Sequence, residues 1–316
     1  MSKLYQVRHV TRFRYENNVS ENVMEVRKCP LSRENQRCMS FNIRVSPKAK
    51  LSEFKEYMGN IVHNLDIPHP HSEVTLTAES LVEVRIPAEL PDKLDVSVWK
   101  ELKALDSRTE FLEFLLFSPL VQATDDLRAL YQELKPQEEE DPFSFLKRVN
   151  AEISKRFDYV PSSTQVNSSA EEALQERKGV CQDFSHVMIG LGRMAGIPCR
   201  YVSGYLYHSE ECDDRSCDDT THAWLEAYLP SLGWIGFDPT NNLLTSDRHI
   251  VTALGRDYKD VPPTRGVYRG FSASELSVAV QVNPADATHA DDDFRRMDES
   301  DFRSEPDEAA QMQQQQ

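Results

Sequence analysis

Apolar residues recur at every second position up to about residue 86 and at every third or fourth position after about residue 91, and a chain that changes period in this way must change architecture. In "YQVRHVTRFRYE", Tyr5, Val7, His9, Thr11, Phe13 and Tyr15 alternate with mostly polar neighbours. "SFNIRVSP", "NIVHNLDIP" and "EVTLTAESLVEVRIP" repeat that alternation, separated by turn residues. This spacing predicts an antiparallel β-sandwich over residues 1–90. The two histidines of "PHPH", Pro68 to His71, fall between strands and read as loop residues, not as a metal site.

Past "IPAELPDK" the pattern is helical. "VWKELKALDSRTEFLEFLL" and "TDDLRALYQEL" have apolar residues at helix spacing, and "KPQEEEDP" interrupts them before "PFSFLKRVNAEISKRFDYV" resumes with Phe145, Leu146, Val149 and Ile153 on one side. Strand-like "CRYVSGYLYH", "HAWLEAYL", "GWIGFDPT" and "LSVAVQV" follow. Helices followed by antiparallel strands predict an α+β core of helices packed on a sheet, spanning residues 91–283. Residues 284–316 hold ten acidic residues and three arginines and end in glutamines, a composition that predicts disorder.

That tail carries seven of the chain's sixteen net negative charges, and the remainder is acidic as well. No basic stripe is present for nucleic acid, so no nucleic-acid partner is expected. No apolar run approaches the roughly 18 residues of a membrane span, and "MSKLYQVRHVTRFRYENN" has charges where a signal peptide needs an apolar stretch, so a cytoplasmic protein without a membrane partner is expected. In that compartment the six cysteines (29, 38, 181, 199, 212 and 217) are expected as thiols, each a core residue, a ligand or a nucleophile.

Cys181 is the informative one. In "GVCQDFSHVMIGLGRMAGIP", Phe184, Val187, Met188, Leu191 and Met194 form one wide apolar helical face, and Gly196 with Pro198 ends the helix. Cys181 then lies in the first turn, where unpaired backbone N–H groups and the positive end of the helix dipole favour a thiolate and, later, an oxyanion. That position also suits a buried structural cysteine, so a nucleophile requires a base as well.

His186, five residues on, points about 140° away from the thiol on a helix of 100° per residue and is a poor base. His222 is better placed. In "THAWLEAYLPSLGWIGFDPTN" it opens a strand, "LPSLG" reverses the chain, and a second strand ends at Asp238. If Tyr228 pairs with Trp234, His222 and Asp238 share a sheet face as diagonal neighbours within side-chain reach. A register slip of one residue would separate them. Cys181, His222 and Asp238 would then serve as nucleophile, general base and orienter.

These motifs, together with the β-rich start ending "GNIVHNLDIPHPHSEVTLTAESLVEV", resemble the bacterial transglutaminase-like superfamily of the cysteine-protease type with an N-terminal β-sandwich domain, over about residues 1–283. The resemblance implies a papain-like core with catalytic Cys181, His222 and Asp238 and no cofactor. Gln182 follows the cysteine where protein-crosslinking transglutaminases have tryptophan, and no acidic loop has calcium-ligand spacing. The expected activity is therefore thiol-dependent hydrolysis of an amide or peptide bond in a protein or peptide substrate, through a thioester. Amine transfer to glutamine, and a non-catalytic binding role on the same fold, are the alternatives.

Gln182, Trp224 and Trp234 are the candidate substrate-binding residues. "YHSEECDDRSCDDTTH" contains His208, Cys212 and Cys217, but their spacing is loose for a structural zinc site, so a mobile acidic loop beside the site that favours basic substrates is expected instead. Cys199 is expected in the core, and Cys29 and Cys38 in the sandwich.

Overall fold

The computed structural model describes residues 2–86, 88–161, 168–209, 212–216, 220–285 and 303–305. The N-terminal part has β1 (Ser2–Val26), β2 (Gln36–Ser46), β3 (Lys50–Lys55), β4 (Ile61–Ile67) and β5 (His71–Arg85). Helices α1 (Val98–Ala104), α2 (Thr109–Leu115), α3 (Asp125–Leu134) and α4 (Pro142–Arg156) follow. Then come β6 (Asp158–Tyr159), α5 (Ala170–Glu176), β7 (Lys178–Gly179) and α6 (Cys181–Met194). The remaining strands are β8 (Cys199–Leu206), β9 (His222–Leu229), β10 (Gly233–Asp238), β11 (Leu243–Leu244), β12 (His249–Gly255), β13 (Thr264–Arg269), β14 (Ser274–Pro284) and β15 (Arg303–Glu305).

The expected sandwich is one eight-stranded sheet curled over by a single long strand. The first part of β1 pairs with β5 and β14, and its end pairs with β4 and β13, the register shifting between Arg14 and Val19. Phe13, Tyr15, Met24, Leu65, Val74, Leu76 and Tyr268 fill the space between the two halves. Two assignments from sequence need correction. The "LSVAVQV" strand, β14, and β13 before it belong to this sheet, not to the core, because β1 offers both of its edges and Val278 and Val280 of β14 pack with Tyr5, Val7, Val82 and Val84. Within the expected disordered tail, Arg303–Glu305 adds a strand to β14; main-chain pairing with an edge strand does not need apolar side chains. The rest of the tail lies outside the described residues.

The core sheet has the order β11-β10-β9-β8-β12. Asp141 caps α4 by accepting from Phe143 N and Ser144 N, with Pro142 in the first turn. Helix α6 is buried all round and not along one face, because α3, α4 and α5 cover the side that the sheet does not. Gly190 makes this possible: a Cβ there would come within 2.6 Å of Leu127 Cδ2.

The N-terminal part covers the other face and the outer edge of the core sheet. β12 is an edge strand, and side-chain amides complete its ladder. Gln36 Nε2 donates to Val251 O (2.9 Å) while Val251 N donates to Gln36 Oε1 (2.7 Å). Asn60 does the same with Leu254, at 2.8 Å in each direction. Beside these amides Leu31, Val202, Trp224, Val251 and Leu254 form a small apolar cluster.

Because a buried backbone group left without a partner costs about 1–3 kcal/mol, Gln36→Ala and Asn60→Ala are each expected to lower the unfolding free energy measured in urea by an amount in that range, with a matching fall in the midpoint. Lys55→Ala, at an exposed strand position, should leave the midpoint nearly unchanged.

Candidate active site

Cys181 is the first residue of α6 and is half-buried. The helix start is held by Asp183, whose Oδ2 accepts from Val180 N at 2.8 Å and so occupies the positive end of the helix. Gly179 leaves room for that carboxylate, since a Cβ at this position would lie 2.7 Å from Asp183 Oδ2. The sulfur meets the imidazole of His222, which opens β9 at 3% exposure.

The β9–β10 register is the one expected: Trp234 pairs with Tyr228, Ile235 with Ala227 and Phe237 with Leu225. His222 and Asp238 therefore share a face, and His222 Nε2–H donates to Asp238 Oδ2 at 2.8 Å. This leaves Nδ1 as the nitrogen available to the thiol. Nδ1 is buried, and the interaction of His222 with Cys181 falls on this side of the ring.

Asp238 is completely buried and collects five hydrogen bonds. Thr240 N (3.1 Å) and Asn241 N (3.2 Å) donate to Oδ1 in a turn that starts at the aspartate itself. Asn241 Nδ2 (2.8 Å), His222 Nε2 and His249 Nε2 (3.4 Å) donate to Oδ2. Burial by itself would push the carboxyl up, but the charge of His222 and the hydrogen bonds from His222 and His249 hold it well below the usual carboxylate range. Burial likewise opposes the charged form of His222, yet Asp238, with a further contribution from Cys181, pushes its pKa up to about 10. His222 is thus an imidazolium at neutral pH.

His249 and Asn241 were not among the residues expected from sequence. Asn241 had a local signal, since "DPTN" after a strand is an Asx-turn pattern. His249 had none, because it arrives from a strand that pairs with β8 and not with β9. The ligand atoms of His222, Asp238 and His249 lie within 4.8 Å of one another, the closest approach to a metal-binding set among the described residues. The atoms that face one another, His222 Nε2, His249 Nε2 and Asp238 Oδ2, are already hydrogen-bonded, so a cation among them would have to displace these bonds.

The expected substrate-binding residues are distributed differently. Gln182 is buried in the first turn of α6, next to the thiol. Trp224 is 1% exposed and packs under the site, its ring edge-on to His249 (5.1 Å) and tilted against His222 (5.9 Å), so it supports the imidazoles and lines no groove. Trp234 sits opposite Tyr228, six residues from His222 and so about 20 Å along the strand. There it packs against Phe114 and lies under the Arg200 guanidinium, away from the site.

His186 is fully buried and faces away from Cys181, as its helical position implies; its Nε2 accepts from Tyr258 N at 3.2 Å, and burial lowers its pKa to about 4. Cys199 is a core residue whose thiol burial pushes up to about 12. The loop expected to be mobile is anchored where it is described. Asp214 pairs with Arg248 (2.6 Å) and His208 (3.2 Å), and Arg215 donates to Ser154 O and Phe157 O. Cys217, the third member of the possible metal set, lies outside the described residues.

Residues 129–239 match the family model of the transglutaminase-like superfamily, and residues 5–83 match the model of the bacterial transglutaminase-like N-terminal region. An uncharacterized protein of Mycobacterium leprae is 31% identical over 278 residues, covering 88% of this chain and 97% of that protein. A solved structure from Cytophaga hutchinsonii, described as a candidate cysteine protease, shares the fold with a TM-score of 0.74 at 22% identity, over 90% of this chain and 92% of that one. A protein-glutamine gamma-glutamyltransferase of Pseudomonas aeruginosa is 26% identical over 225 residues, 63% of this chain and 31% of that protein. Among the described residues no helix is long and apolar enough to cross a membrane.

The pairing of His222 with Asp238 predicts a pH signature. In the unfolded chain His222 titrates near 6.5 and in the folded chain near 10, so its contribution to stability is complete below about 6.5 and is lost as pH rises through about 10. The depressed Asp238 acts at the other end: its contribution is present above its unfolded pKa of 3.8 and disappears in acid. Urea unfolding of wild type and His222→Gln across pH 6 to 10 should show a stability difference that shrinks steadily as pH rises.

Proposed function

We propose that this chain, which belongs to the bacterial transglutaminase-like superfamily, is a thiol-dependent acyl-transfer enzyme that hydrolyses amide or peptide bonds, with Cys181 as nucleophile, His222 as general acid and base, and Asp238 as its orienter. The observation that carries this reading is the 2.8 Å bond from His222 Nε2 to a wholly buried Asp238, which turns Nδ1 to the half-buried thiol at a helix start. The elevated pKa of His222 supports an imidazolium able to stabilise a thiolate beside it.

The Cys181 sulfur attacks the carbonyl carbon, forming the S–C bond, while backbone N–H groups of the first turn of α6 receive the oxyanion. His222 gives its Nδ1 proton to the leaving nitrogen as the C–N bond breaks, and a thioester remains. Water then attacks that thioester as His222 takes its proton; the S–C bond breaks, the acid product departs and the thiolate–imidazolium pair is restored. Asp238 keeps its charge throughout and holds the histidine tautomer. If an amine takes the place of water, the same thioester yields a new amide. The activity named for the Pseudomonas relative favours this as the second reading.

Iodoacetamide at pH 6 should alkylate Cys181 about tenfold faster than Cys212, the most exposed of the described cysteines, because activation and not access sets the order. Labelling of Cys212 first would overturn the reading. Digestion of a peptide library should disappear with Cys181→Ala and fall by about 10²- to 10⁴-fold with His222→Ala. Incorporation of labelled cadaverine into a glutamine-rich protein, without release of acid product, would select amine transfer.

A further inference from the structure

We infer that His249 is a positioning residue of this site, a second imidazole that holds Asp238 Oδ2 in line with His222. The inference rests on the roles proposed above for Cys181, His222 and Asp238.

The strand register brings the two histidines together. On β8, Gly204 lies opposite His222 and Leu206 lies opposite His249, so both histidines project from the same face on either side of β8. Gly204 keeps the strip between them clear, and the rings approach to 6.2 Å between centroids. The Trp224 indole lies against both. His249 thus reaches Asp238 from a third strand, the one whose outer edge Gln36 and Asn60 complete.

Its tautomer is determined by its neighbours. Ser246 N–H donates to His249 Nδ1 at 3.1 Å, so in the neutral ring the proton resides on Nε2, the atom 3.4 Å from Asp238 Oδ2. The ring is kept neutral because burial, together with the His222 and Arg248 charges, outweighs the pull of Asp238. Two imidazoles therefore share one carboxylate oxygen in different states, one cationic and one a neutral N–H donor.

A physical reason for the second imidazole follows from the carboxylate geometry. Oδ1 accepts from two backbone N–H groups, but a coupled rotation about Cα–Cβ and Cβ–Cγ that pivots on those bonds would still carry Oδ2 away from His222. Asn241 Nδ2 and His249 Nε2 donate to Oδ2 as well and restrain that rotation, leaving His222 the remaining direction. Loss of one restraint should loosen the aspartate, tilt the base and weaken the imidazolium at His222.

Two substitutions divide His249 into its two contacts. His249→Gln places an amide N–H near the Nε2 position and retains the donor to Asp238. His249→Asn can accept from Ser246 N but does not reach the carboxylate. With iodoacetamide inactivation of full-length protein followed from pH 5 to 10, the Asn variant is expected to react at Cys181 about tenfold more slowly. Its alkaline limb should also move to lower pH, and the Gln variant should retain most of the wild-type rate and profile. An Asn variant with an unchanged rate and profile, or equal losses in both variants, would overturn the inference.

Should the Asn variant not fold, nitrogen-resolved NMR of the wild-type imidazoles supplies the second measurement. His249 must carry its proton on Nε2 with Nδ1 bare, and the opposite tautomer overturns the inference without any variant. Slow labelling of Cys181 in wild type would instead count against the proposed reaction, leaving the tautomer measurement to decide the role of His249 at Asp238.

Discussion

A carboxylate with no exposure to water is the constraint to which the rest of the site conforms. An ionised group buried without partners would be too costly to keep, and the chain retains Asp238 by giving it five donors from three separated stretches. The turn after β10 supplies three of them, the start of β9 supplies His222, and the start of β12 supplies His249. Satisfying this one group therefore requires the β9–β10 hairpin in its observed register and β12 at its observed distance. The same requirement sets the charge state of His222, because the negative charge is strong enough to overcome the burial that would otherwise neutralise the ring.

The two faces of the core sheet have different tasks. On one, Ala223, Leu225, Ala227 and Leu229 pack against the helices, which brings the start of α6 and its thiol to the end of the sheet. On the other, Trp224 and Glu226 face the N-terminal part, which covers this side, and His222 and Asp238 share the face at its end, where Cys181 at the start of α6 reaches the imidazole. Glu226 is held there by Arg200 and by Arg33 from the N-terminal part. Leu31 and Ile61 close over Trp224, which in turn supports both imidazoles. The N-terminal sheet is thus a wall behind the base and orienter, and exclusion of water there strengthens their pairing.

Much of this was legible locally. The alternation in "YQVRHVTRFRYE" and "EVTLTAESLVEVRIP" corresponds to β1 and β5. The punctuation around Cys181 corresponds to α6, and the reversal at "LPSLG" offers the register that pairs Tyr228 with Trp234, which the hairpin adopts with Leu229 opposite Gly233. Helix geometry turns His186 from Cys181, and its Nε2 accepts from Tyr258 N instead. The assignments that needed correction depend on distant partners. β14 looked like a core strand because alternation does not say which sheet a strand joins. Trp224 and Trp234 looked alike in the strand pattern, but one supports the imidazoles and the other lies at the far end of the hairpin.

The sequence by itself determined most of the elements and the change of layer near residue 91, and it allowed the pairing of His222 with Asp238 in one hairpin register, because these follow from periodicity, turn chemistry and a hairpin whose two strands are neighbours in the chain. Only the tertiary structure decided that β13 and β14 return to the first sheet, that His249 joins Asp238, and that Gln36 and Asn60 complete the edge of β12. Those contacts link residues tens to more than two hundred positions apart except at His249, where eleven residues separate it from Asp238 but the strands between them are β8 and β9. Which strand lies beside which is settled by burial of the whole chain and the pairing of its polar groups, and no local pattern carries that information.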